Sequence, residues 1–222
     1  MNLTNKQTKK RKKRKTNFLY DFVKVTGAIP ALIWMRAKII RVGESKPKKV
    51  KGGVLITSNH VSFVDPVLLH CALWYRRLHF LATKDLFDTK LKDFFFRHMN
   101  CIMVDKENFS VDSFHDVCSD LKANKAVVIF PEGQVNRTNE EMLSFKSGAV
   151  LMAYKSNKPI LPICLIKTQK WYHRHVVLVG DPIDVRSICG DRPSLEDFKK
   201  ASDYLREREM ELMNYYHKGV RK

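Results

Sequence analysis

His60 and Asp65 stand five residues apart, where the apolar run Val54-Leu55-Ile56-Thr57-Ser58 gives way to a helical pattern opened by Asp65-Pro66. An imidazole whose second nitrogen is held by a carboxylate is an oriented general base, able to take the proton of an alcohol attacking a thioester. Strand-to-helix junctions are where α/β folds expose such groups. The spacing alone does not compel that chemistry, because Asp before Pro also serves as an ordinary helix N-cap. A second segment, Phe130-Pro131-Glu132-Gly133 with Arg137 beyond it, ends the strongest strand pattern of the chain, Ala126 to Phe130. A loop there offers backbone N–H groups, and the planar Arg fork suits phosphate oxygens. Taken singly, Pro-Glu-Gly is equally an ordinary turn.

Positioning both loops requires a scaffold of strands that end side by side. From Val50 onward, short apolar runs alternate with longer helical patterns, which predicts an α/β domain. Strands are expected at 54–58, 78–82, 101–104, 126–130, 160–166 and 176–179. Helices are expected at 65–76, about 90–97, 111–123, 147–156 and 194–217. The expected fold is a single α/β domain, a mixed and mostly parallel sheet flanked by helices, over residues 50–222.

The ordered blocks resemble the lysophosphatidic acid (1-acylglycerol-3-phosphate) O-acyltransferase family. Its N-H-x4-D block matches Asn59, His60 and Asp65, and its second block corresponds to Lys84-Asp85-Leu86-Phe87 and Ile102 to Lys106. F-P-E-G matches Phe130 to Gly133, F-K-x-G-A matches Phe145 to Ala149, and the closing P-I-x-P strand matches Pro159 to Ile163. The resemblance implies a glycerol-3-phosphate acyltransferase-like fold. It also implies transfer of a fatty acyl group from acyl-CoA or acyl-ACP to the free hydroxyl of 1-acylglycerol-3-phosphate, giving phosphatidic acid, with no metal and no further cofactor. His60 and Asp65 would be catalytic. Asn59, Lys84, Lys106, Glu132, Gly133 and Arg137 would bind substrate. Two departures fall on the phosphate site: Gln134-Val135-Asn136 intervenes before Arg137 where Thr-Arg is usual, and Lys106 replaces Arg, losing the bidentate fork. An acyltransferase for another lysophospholipid or an amino-acid lipid is the neighbouring reading.

The formal charge of +18 is concentrated in the first 51 residues, which hold 16 Lys/Arg and two Asp/Glu and leave the body at only +4. That distribution, with no recognition motif, argues against nucleic acid as the partner. Residues 1–17 form a polybasic tail that has nothing apolar to bury. Residues 18–49 are expected as an interfacial amphipathic helical segment, since the longest uncharged run, Val25 to Met35, contains Pro30 and is short of the roughly 20 residues a span requires. Packing of this segment on the domain is the competing reading. Each basic residue at an anionic leaflet contributes roughly 1 kcal/mol, so a peripheral or monotopic attachment to the cytoplasmic face of a membrane is expected. Five cysteines without a C-x-x-C pair read as buried free thiols. No G-x-S-x-G elbow or H-E-x-x-H pair occurs, and His173-x-His175 reads as a surface pair.

Overall fold

The computed structural model describes residues 18–43, 49–105, 110–166 and 175–220. Helix α1 (Phe18–Val23) passes through a π-helical turn at Lys24–Ala28 into α2 (Ile29–Trp34), and the chain then enters β1 (Lys38–Arg41). There follow β2 (Val54–Ser58), α3 (Asp65–Ala72), β3 (Leu78–Thr83), a 3-10 turn at Lys84–Phe87, α4 (Lys90–His98) and β4 (Ile102–Val104). The second half comprises α5 (Val111–Lys122), β5 (Ala126–Ile129), α6 (Gly148–Ser156), β6 (Ile160–Ile166), β7 (Val176–Val179), α7 (Val185–Cys189) and the long α8 (Leu195–Val220).

Among the described residues seven strands form one sheet in the order β1-β7-β6-β2-β5-β3-β4, with every neighbouring pair parallel except β6 with β7. The central strands are near-continuous apolar runs because both sheet faces are covered. On one face Leu55, Val127, Ile160, Cys164 and Leu178 pack against α5, α6, α7 and α8. On the other, Val54, Ile56, Val128, Leu161 and Ile163 pack against α3, with Met35 from the end of the N-terminal segment. β2 lies between β6 and β5, in register Thr57 with Pro162 and Thr57 with Ile129. Strands β2 and β5 therefore deliver the His60 and Glu132 loops to the same sheet edge, the carboxyl edge where open α/β sheets place their ligands.

Within the segment expected to be helical over 18–49, residues 18–34 are helical and residues 38–41 are not. Lys38-Ile39-Ile40-Arg41 forms an edge strand paired with Val176–Val179, its exposed Lys and Arg flanking two half-buried β-branched residues. The helical part is divided in its exposure. Tyr20 is 0% exposed, whereas Phe18 and Trp34 are 82% and 68% exposed. Helix α3 ends at Ala72 rather than Arg76, and the Arg76 guanidinium instead binds the carbonyls of Val50, Gly52 and Asn124. His175 is buried, contrary to a surface placement, while His173 and the polybasic tail lie outside the described residues. All five cysteines are free thiols, and four of them are buried.

Candidate active site

The carboxylate of Asp65 organises the loop between β2 and α3. Its Oδ2 accepts from His60 Nδ1 at 2.7 Å, from the Val61 amide at 2.8 Å and from the Ser62 amide at 2.9 Å. The residue does not cap its own helix as expected: the N-cap position falls to Val64, which makes no side-chain capping bond. Three donors converging on one buried carboxylate oxygen fix both the loop and the ring. Because a carboxylate here can only accept, the hydrogen resides on Nδ1 and the lone pair of His60 lies on Nε2. Among the described residues no partner is bonded to Nε2. The ring is stacked on Phe130, with centroids 4.0 Å apart and planes 15° from parallel.

The backbone of His60 is held from two sides by the second loop. Its amide donates to Glu132 Oε1 at 3.0 Å, and its carbonyl accepts from the Asn136 amide at 2.7 Å. Glu132 Oε2 accepts from the Leu143 amide at 3.2 Å, so both carboxyl oxygens of this buried residue are occupied by backbone donors. Burial pushes the Glu132 carboxyl above the usual carboxylate range, opposed by those two hydrogen bonds and by the charges of His60 and Arg206. Of the residues expected to bind substrate, Glu132 is thus turned inward to brace His60.

Asn59 is likewise turned inward. It is fully buried, its Nδ2 donating to the Leu165 carbonyl at 2.9 Å and its Oδ1 accepting the Leu165 amide at 2.7 Å. The side chain replaces the backbone ladder where β2 leaves β6. Gly133 adopts φ +73° and closes a turn onto the Phe130 carbonyl at 3.0 Å. A Cβ there would sit 3.0 Å from Lys146 Nζ, which places an exposed ammonium directly over the turn. Arg137 extends over the exposed ring of Phe63, 5.9 Å from its centroid. Lys84 stands at the end of β3, one strand beyond β5, with its ammonium 2.8 Å from Asp105. Lys106 lies outside the described residues.

The structure therefore gathers His60, Asp65, Glu132 and Gly133 in two adjoining loops, with Arg137 over Phe63 of the first loop and Lys84 at the end of β3. Reading the sequence for site residues missed Asn136, Phe130 and Lys146. Asn136 is buried and ties its own loop through Thr138 and Glu140. The signal for Lys146 was present in the Phe145 to Ala149 block. A cleft of about 590 Å³ lined by Pro162, Asp181, Tyr204, Arg208 and Tyr215 opens elsewhere and includes none of these residues. Among the described residues no group of three His, Cys, Asp or Glu side chains could hold a metal ion.

The model of a family described as Acyltransferase matches residues 39–166. A 1-acyl-sn-glycerol-3-phosphate acyltransferase of Bacillus subtilis (strain 168) is 27% identical over 205 residues, covering 88% of this chain and 98% of that protein. A protein of the same name from Helicobacter pylori (strain J99) is 31% identical over 124 residues, 55% of this chain and 52% of that one. The crystal structure of the 1-acyl-sn-glycerophosphate acyltransferase PlsC from Thermotoga maritima superposes with a TM-score of 0.65 at 20% identity, over 89% of this chain and 80% of that one, a likeness of fold.

Proposed function

The chain belongs to the Acyltransferase family, whose model covers more than half of its length, and from that membership we propose that it transfers a fatty acyl group from an acyl thioester to the free hydroxyl of 1-acylglycerol-3-phosphate, giving phosphatidic acid. The observation that carries the reading is His60, fixed through Nδ1 on Asp65 at 2.7 Å with Nε2 unengaged. In this scheme Nε2 takes the proton of the acceptor hydroxyl as its oxygen bonds to the thioester carbonyl carbon. The C–S bond breaks, and the leaving thiolate recovers the proton from the imidazolium. Asp65 stabilises that cation without itself taking a proton. No acyl-enzyme and no cofactor enter this scheme, and acyl-CoA or acyl-ACP is the co-substrate.

Acceptor phosphate binding is assigned to Arg137, Gly133 and Lys146, with Lys84 and Lys106 as further candidates. Glu132 and Asn59 act on the backbone rather than on substrate. We place the protein at an anionic membrane surface, peripheral or monotopic on the cytoplasmic face. Among the described residues no helix is long and apolar enough to cross a membrane, and Phe18, Phe22, Ile33 and Trp34 are exposed on the N-terminal segment. A second acceptor remains in view because Arg137 packs over Phe63 and is separated from Gly133 by three residues.

The test is transfer of a labelled acyl thioester to a panel of lysophospholipids in detergent micelles, with wild type and His60→Ala side by side. His60-dependent product with 1-acylglycerol-3-phosphate supports the reading. His60-dependent product with another acceptor alone changes the substrate, and transfer that survives His60→Ala removes the proposed base.

A further inference from the structure

We infer that His70 is a positioning residue for the His60 and Asp65 pair, held in its working tautomer by Tyr20, so that seating of the N-terminal helix on the domain sets the geometry of the reacting imidazole. The inference rests on the site reading above.

Asp65 opens α3, yet its carboxylate is committed backward to the His60 loop through Oδ2, and its Oδ1 is buried without a hydrogen-bond partner. The N-cap Val64 supplies no side-chain bond. The first turn of α3 is therefore held at its start by backbone bonds alone, from the Asp65 amide to Ser62 and from the Val67 and Leu68 amides to Val64, with no side-chain cap. A restraint comes from within the helix, where His70 Nδ1 lies 2.7 Å from the carbonyl oxygen of Pro66, the residue that follows Asp65. A carbonyl only accepts, so Nδ1 carries the hydrogen and Nε2 presents a lone pair. Tyr20 Oη is 3.0 Å from that Nε2 and donates to it, while the same oxygen accepts the Leu78 amide at 2.7 Å. The alternative acceptor for the hydroxyl, the Leu78 carbonyl, is 3.5 Å away.

Each donor and acceptor in this relay is thus assigned, from the Leu78 amide through Tyr20 and His70 to Pro66. Tyr20 and Leu78 are fully buried and His70 nearly so, with its ring stacked on Phe80 at 5.1 Å. The segment that carries Tyr20 is tied to the loop after α3 by an Asp21 ion pair with Arg77 and by Lys24 Nζ, which donates to the Arg76 carbonyl at 2.6 Å. Removal of the Tyr20 hydroxyl leaves the buried Nε2 of His70 and the Leu78 amide without their partner, so the ring loses the contact that seats it against Pro66 and with it a restraint on the turn that carries Asp65. Small displacements of a catalytic group cost large factors in rate: about 1 Å is enough for roughly 100-fold.

Two substitutions separate positioning from packing. His70→Gln can reach Tyr20 but not Pro66, and His70→Asn can reach Pro66 but not Tyr20. Steady-state transfer from palmitoyl-CoA to 1-oleoylglycerol-3-phosphate in micelles, together with hydrogen exchange of the Val61 and Ser62 amides bound by Asp65, reads the effect. His70→Gln is expected to lower kcat about tenfold with KM within about twofold and to speed exchange at Val61 and Ser62. His70→Asn keeps most of kcat and slow exchange, and Tyr20→Phe falls between. Wild-type kcat and exchange in His70→Gln overturn the inference, as does equal impairment of Gln and Asn variants with a parallel fall in Tm. Should wild type show no transfer, the functional reading fails, and the amide exchange still decides the role of His70.

Discussion

The amide of His60 donates to Glu132 Oε1 at 3.0 Å across 72 residues of sequence, so a residue of the second loop sets the height of the imidazole in the first. Glu132→Ala leaves that amide and the Leu143 amide without partners in a buried setting. Each unpaired group costs about 1–3 kcal/mol. The variant is expected to lose about 2 kcal/mol or more of stability in urea denaturation, and kcat is expected to fall further than the change in folded fraction explains.

His60→Ala should lower kcat by about 10²–10⁴, the usual worth of a positioned general base. Asp65→Asn keeps the shape but offers an amide where three donors converge, so the ring loses its tautomer and its orientation. The expected result is a comparable loss of kcat with KM little changed, measured by steady-state transfer across a lysophospholipid concentration series.

Asn59→Ala tests a structural role for a residue of the N-H-x4-D block. It strands the amide and carbonyl of Leu165, both bound to Asn59 in a fully buried site. A stability loss of about 2–4 kcal/mol is expected, read as a shift of the denaturation midpoint. An effect on activity without such a shift would instead assign Asn59 to substrate.

Away from the site, His79 and Lys125 each bind Asp120 at 2.8 Å. Burial alone would raise this carboxyl, but the hydrogen bonds and charges of His79 and Lys125 outweigh it and hold Asp120 at about 2. A folded value below the unfolded one means that the stabilisation is present above the ordinary carboxylate pKa and is lost as pH falls from about 4 to about 2. Asp120→Asn should therefore lose about 2 kcal/mol at neutral pH and converge with wild type near pH 2, as followed by Tm against pH.

What the sequence made legible was local. His60 and Asp65 are five residues apart, and Glu132 follows an unmistakable apolar strand, so the base, its carboxylate and the second loop could all be placed by pattern. The roles of Asn59 and Glu132 could not, because their partners lie 106 and 72 residues away and are backbone groups that no side-chain pattern marks. Tyr20 reads as one more aromatic in an interfacial stretch. Its burial depends on a His70 that is 50 residues distant. Strand β1 was hidden for a different reason: four residues with a cation at each end resemble a basic flank, and only an available sheet edge converts them into a strand.

That edge governs how the protein can be cut. Val176–Val179 is buried along its whole length and has β6 on one side and β1 on the other. An expression fragment beginning at Val50, where the α/β pattern starts, would keep His60, Asp65 and Glu132 yet strip β7 of its outer neighbour. The amides and carbonyls of β7 that face β1 would then stand open along an apolar strand, a template for another chain to pair with. Such a fragment should self-associate, and the shortest well-behaved form of the molecule is one that retains Lys38 to Arg41.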